Sequence, residues 1–162
     1  MAVWCWLAAL TPVSAQKLSA GIDCAWLTAG MLDAGGELRV GQAATLNLTV
    51  IGAWHPWIHR DIAGLAVQPE LRYYLSGRPM YHHFVGIGAL VGGYDMKLDI
   101  GSYMGSAVGV GVTFGYVMPL ARHWNVDFHS GFGLVHSEDR HQGNQNYTIP
   151  TTVGVTLSYI IM

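Results

Sequence analysis

Residues Leu65 to Tyr94 read LAVQPELRYYLSGRPMYHHFVGIGALVGGY, two long extended runs joined by a short Gly-Pro turn. In the first run Leu65, Val67, Leu71, Tyr73 and Leu75 share one parity, and Gln68, Glu70, Arg72 and Ser76 share the other. A period of two places the apolar set on one face of a strand and the polar set on the opposite face. In the second run glycines occupy both parities, but Tyr81, Val85, Ile87, Ala89 and Val91 still align. A bilayer-spanning strand needs ~9–11 residues, and both runs reach that length. The stretch therefore predicts two neighbouring strands of a transmembrane β-barrel.

Composition points the same way. Of 162 residues 51% are hydrophobic and 11% charged, against a usual charged share of about 25%. So few charges make a poor water-soluble surface. The 21 glycines, six tryptophans and eight tyrosines favour sheet, tight turns and an interfacial aromatic belt. A net charge of -2 gives no electrostatic case for nucleic acid. The length suits one domain.

The N-terminus, MAVWCWLAALTPVSAQKL, has an apolar core from Ala2 to Leu10, then Pro12 and the small pair Ser14 and Ala15. This predicts a secretory signal over residues 1–15, cleaved before Gln16, although a positively charged start is missing. The apolar run falls well short of the ~20 residues of a spanning helix. Cys24 is then the lone thiol of a barrel domain over residues 16–162, most simply a small apolar strand residue.

The alternation predicts eight strands: Leu18–Thr28, Asp33–Val40, Thr45–Trp54, the two of the opening stretch, Ser106–Met118, Trp124–His136 and Thr151–Ile161. In the sixth, Val108, Val110, Val112, Phe114, Tyr116 and Met118 oppose Ala107, Gly109, Gly111, Thr113 and Gly115. Large residues face outward and small ones inward, as a narrow barrel requires. Short connections follow the second, fourth and sixth strands. The longer segments His55–Gly64, Asp95–Gly105 and Ser137–Pro150 read as external loops, with both termini in the periplasm. A soluble lipocalin-like barrel would reverse the polarity. It would leave only Glu37, Arg39, Glu70, Arg72 and Asp127 to wet the strands' outer face.

Three runs carry a family resemblance: VQPELRYYL, HHFVGIGALVGGYDM and FGYVMPLARHWNVDFHSGFGLVH. They resemble the DUF3575 family of Bacteroidetes outer-membrane proteins through Gln68, Pro69, Glu70, Arg72 and Tyr73; His83, Phe84 and Gly86; and Gly115, Tyr116, Leu120, Trp124 and Asp127. His55, Pro56 and Trp57 stand where the family usually has Asn-Pro-Trp. The likeness runs from Ala34 to the C-terminus. It lacks the family's Asn- and Thr-rich first strand and its late cysteine pair. The resemblance implies an all-β, eight-stranded antiparallel up-and-down barrel in the cell outer membrane, non-enzymatic and monomeric. Outer-membrane lipid and fimbrial or other cell-surface proteins are the implied partners.

The inward charges Glu37, Arg39, Glu70, Arg72 and Asp127 predict a salt-bridged plug that fixes register, since charges inside a small barrel must pair or meet water. An ion path, and with it a narrow pore or transporter, is the alternative. Pro69 predicts a bulge or register irregularity. Trp54, Trp57, Tyr73, Tyr74, Tyr81, Tyr94, Tyr116 and Trp124 predict two aromatic girdles. His55, His59, His82 and His83 do not converge on a metal. His136, Ser137 and Glu138 together suggest a lipid acyl hydrolase, but neighbours on a strand point to opposite faces, which argues for a polar strand end. No catalytic, cofactor-binding or metal residue is assigned, and no cofactor is expected.

Overall fold

The computed structural model describes residues 17–54, 61–98, 101–139 and 143–161. The predicted signal over residues 1–15 lies outside them, as do His55, Trp57 and His59. The strands are β1 (Leu18–Asp23), β2 (Met31–Arg39), β3 (Ala44–Trp54), β4 (Ile62–Tyr74), β5 (His82–Leu98), β6 (Gly101–Pro119), β7 (Trp124–Asp139) and β8 (Gly143–Ile160), with a short helix α1 (Cys24–Thr28) after β1. Each pairs antiparallel with its neighbour in sequence, and β1 pairs with β8, so the sheet closes.

The closure has a stagger. Hydrogen-bonded partners followed once round from Ile22 run through Ala34, Val50, Val67, Val91, Val108 and His136 to Asn146. Ile22's own partner on β8 is Leu157, eleven residues further along. One of the eleven is a bulge residue, Thr151, skipped where Gly131 pairs with Thr152 and Phe132 with Pro150. The remaining stagger of ten tilts eight strands steeply, within the roughly 35–45° usual for barrels.

Several expectations need correction. The first strand was expected over Leu18–Thr28, eleven residues, yet β1 has 6; β2 has 9, while β5 to β8 have 16 to 19. A six-residue strand is short of the ~9–11 needed to cross a bilayer. The sheet is thus not a transmembrane cylinder over its full height. It is a low closed ring, held by the pairs from Ser19–Ile160 to Asp23–Thr156, from which the long strands rise as an open half-shell. Leu18–Thr28 is not one strand, because the Asp23 side chain accepts the Trp26 N–H at 3.0 Å and starts α1. Cys24 sits on that helix and is exposed.

Two of the three expected long loops are largely strand. β5 runs to Leu98 and β6 starts at Gly101; β7 runs to Asp139 and β8 starts at Gly143. The irregularity expected at Pro69 lies elsewhere: Pro69 keeps its place opposite Leu48, and β4 and β5 hold one register on either side of it. Pro69 lacks an N–H, and no β5 partner faces Gln68 or Pro69.

Side chains sort sharply between the two faces. Among the described residues, six hydrophobics are buried, whereas large apolar side chains stand exposed on every strand, among them Leu48, Leu71, Ile87, Val110, Phe132 and Val153. The small buried apolar cluster is Tyr74, Phe84 and Val117. Tyr74, expected in a girdle, is fully buried and stacks at 5.5 Å on Phe84.

Candidate functional site

Inside the low ring the inward parity of four strands, β1, β2, β4 and β7, brings charged groups together. Arg72 donates from Nε to Glu70 Oε2 at 2.8 Å and from Nη1 to Asp127 Oδ2 at 2.7 Å, with Glu37 Oε2 at 3.5 Å. Glu37 Oε1 accepts from Thr45 Oγ1 at 2.5 Å and from Tyr74 OH at 2.6 Å. The guanidinium lies 4.4 Å from the Phe84 ring centroid, a cation–π contact on its remaining face. One arginine so ties β2, β4 and β7 across the interior. Room for it comes from Gly86, where a Cβ would overlap the Glu70 carboxylate.

Arg39 does not join this cluster. It lies at the end of β2, and its Nε donates to the Gly41 carbonyl at 2.9 Å in the adjoining turn. The network instead contains residues that the sequence reading passed over. Asp23 and Asp33 are buried, and His129 sits between Asp23 and Asp127 at 3.8 and 3.7 Å. Asp33 shares the parity of Glu37, and that was the available signal. Asp23 gave none, since its neighbours read as apolar strand.

The ring interior holds five buried carboxylates, Asp23, Asp33, Glu37, Glu70 and Asp127, against one guanidinium and one imidazole. The cavity lined by Asp33, Glu37, Glu70, Arg72, Asp127 and His129 has a volume of about 50 Å³, room for about one or two waters. A cavity of this size gives no support to a path for ions past Arg72, the basis of the pore or transporter reading. Among the described residues no three His, Cys, Asp or Glu side chains are placed to hold a metal ion.

The His136, Ser137 and Glu138 arrangement is divided by the sheet. Ser137 is buried, hydrogen-bonded to the Tyr94 hydroxyl on the inner face. The His136 ring is on the outer face, bonded through Nδ1 to Asn146 Oδ1 at 2.6 Å, with Glu138 4.0 Å away. A histidine on the far side of the sheet cannot take a proton from that serine. The acyl-hydrolase reading falls with this geometry. Tyr94, expected in a girdle, belongs to the inner face, and its hydroxyl also donates to Asp139 Oδ2 at 3.4 Å.

Above the ring the interior changes character. Leu90, Gly109, Val135 and Tyr147 lie side by side across the inner face of the tall strands. Leu90, Ala107, Val135, Tyr147 and Ile149 line an apolar cleft of about 360 Å³.

A small staggered antiparallel sheet closed on itself, apolar outside and ionic within, defines an eight-stranded β-barrel with one wall cut low. A family model described as "Protein of unknown function (DUF3575)" matches residues 1–161, and the chain belongs to that family. The match takes in the first strands as well, where the sequence resemblance began only at Ala34; it carries neither a source organism nor a membrane assignment. Neither the curated proteins nor the solved structures contain a match.

Proposed function

We propose that this protein lodges in the outer membrane, its apolar outer face against lipid, and acts there without catalysis as a plugged, non-conducting element. The observation that carries this reading is where the charges sit. Among the side chains described, the exposed and half-exposed charges are Lys17, Arg39, Asp61, Arg78, Asp95, Arg122, Glu138 and Asp139, in turns, at strand ends or, for Asp95, in the upper part of β5. The other described Asp, Glu, Lys and Arg side chains, Asp23, Asp33, Glu37, Glu70, Arg72 and Asp127, are all buried within.

Between those limits the outer face is an apolar band. On β7 it runs from Trp124 through Phe128 and Phe132 to Leu134, ten residues or ~33 Å along the strand. A tilt of ~45° brings that to roughly 23 Å, close to the ~25 Å band of outer-membrane barrels. Directly above it the outer face turns polar, with Ser106 opposite Glu138. An exposed apolar area of this extent has no place in water. No helix among the described residues is long and apolar enough to cross a membrane, so insertion would rest on the strands.

Fractionation of expressing cells tests the reading. The protein is expected in the outer-membrane fraction, retained through an alkaline carbonate wash and released by detergent. In planar bilayers it is expected to give no stepwise current. Recovery in aqueous buffer as a monodisperse protein would overturn the membrane reading, and a steady open-channel current would overturn the plug.

A further inference from the structure

We infer that the cleft on the inner face of β5 to β8 receives one acyl chain of a membrane lipid, entering sideways through the gap above β1. The inference rests on the membrane reading and adds a binding site to it.

Three features point to that occupant. The first is the missing wall. The last β8 residue paired with β1 is Thr156, yet β8 continues up to Gly143. Above Asp23 the chain leaves the sheet for α1, a five-residue helix that exposes Leu27. That helix packs against β8 and β2; above it, among the described residues, no strand pairs with the free edge of β8, and this edge opens toward the medium beside the outer apolar band.

The second is the bulge at Thr151. By resetting the alternation of β8 it turns Ile149 and Tyr147 to the inner face, opposite Gly133 and Val135, and leaves Thr148 and Asn146 on the outer one. Ile149 is 39% and Tyr147 45% exposed on that face. Without the bulge the polar set would line the cleft.

The third is the cleft's chemistry. Its volume of about 360 Å³ falls within the ~300–1,000 Å³ of small-molecule sites. Leu90, Ala107, Val135, Tyr147 and Ile149 supply an apolar floor, and the polar groups gather at its upper end, where Tyr94 bonds to Ser137 and Asp139. An apolar trough ending in hydroxyls and a carboxylate suits a chain whose head carries hydrogen-bond donors or a positive charge. It does not suit a bare anionic head.

The test uses the full chain in phosphatidylcholine vesicles with lysophosphatidylcholine bearing a diazirine midway along its acyl chain. After photolysis, labelled residues are mapped by mass spectrometry. Labelling is expected on the inward residues Leu90, Val135 and Ile149, in addition to the outward residues Val110 and Leu134 that contact bulk lipid. Ala107→Trp, which fills the trough, and Ile149→Glu, which charges a half-exposed position, are each expected to lower inner labelling at least tenfold and leave outer labelling unchanged. Outer labelling with no inner labelling overturns the cleft assignment alone, whether the cleft is wet or covered by a second copy. Inner labelling that persists in both variants overturns it too. Loss of outer labelling in the wild type would instead refute the membrane reading on which it rests.

Discussion

Arg72 on β4 and Asp127 on β7 meet at 2.7 Å across the interior of the ring, although 55 residues separate them in the chain. Both side chains are less than a tenth exposed. Their contact braces opposite sides of the ring against one another, which ladder hydrogen bonds between adjacent strands cannot do. Removing one member of a buried pair leaves an uncompensated charge and costs ~3–5 kcal/mol. Arg72→Leu is accordingly expected to destabilise the folded protein by about that amount. Asp127→Asn is expected to cost less, because Glu37 and Glu70 still face the guanidinium. The double variant, followed by urea unfolding in detergent micelles, is expected to show a coupling of roughly 0.5–3 kcal/mol. Additive effects would mean that the two do not act as a pair.

Tyr74 makes a narrower prediction. Its hydroxyl donates to Glu37 at 2.6 Å, and the residue has no exposed surface. Tyr74→Phe keeps the ring against Phe84 but removes the donor, leaving a buried carboxylate one bond short. A loss of about 1–3 kcal/mol is expected. Unchanged unfolding would show that Thr45, the other donor to Glu37 Oε1, suffices alone.

Gly86 tests whether the plug sets the small-residue pattern. A methyl group there meets the Glu70 side chain, whose carboxylate is held in place through Oε2 by Arg72 at 2.8 Å. Overpacking of this kind typically costs about 1–3 kcal/mol. Gly86→Ala should be costly in the native background and nearly neutral once Glu70→Ala has removed the obstacle. Equal cost in both backgrounds, measured by thermal melting, would assign the glycine to backbone needs instead.

The β-structure was legible in the chain because parity survives in the strand centres. Leu46, Leu48 and Val50 oppose Thr45, Asn47 and Thr49 in the sequence and in the sheet alike. Strand ends were not legible, since above the apolar band the outer residues Ser106, His136 and Glu138 are as polar as a loop. The shortness of β1 was hidden because Ala25, Trp26 and Leu27 continue an apolar pattern that Asp23 interrupts only by capping a helix. Four members of the ionic cluster, Glu37, Glu70, Arg72 and Asp127, were read from parity, which Asp33 and His129 share. Arg39 was misplaced because a terminal strand residue can turn its side chain along the turn. The bulge at Thr151 left one mark in Thr-Ile-Pro-Thr-Thr-Val, the strand proline Pro150 beside it, but that segment read as the end of a loop and β-branched residues fill both parities.

The central claim is that the outer face touches lipid, and spin labelling tests it most directly. With Cys5 and Cys24 replaced by serine, single cysteines at Leu48, Phe114 and Leu134, and at Glu138 as a control above the band, would carry a nitroxide in reconstituted vesicles. The account predicts high collision rates with oxygen and low rates with a water-soluble nickel chelate at the first three positions, and the reverse at Glu138. Nickel accessibility at Leu48, Phe114 and Leu134 equal to that at Glu138 would contradict it.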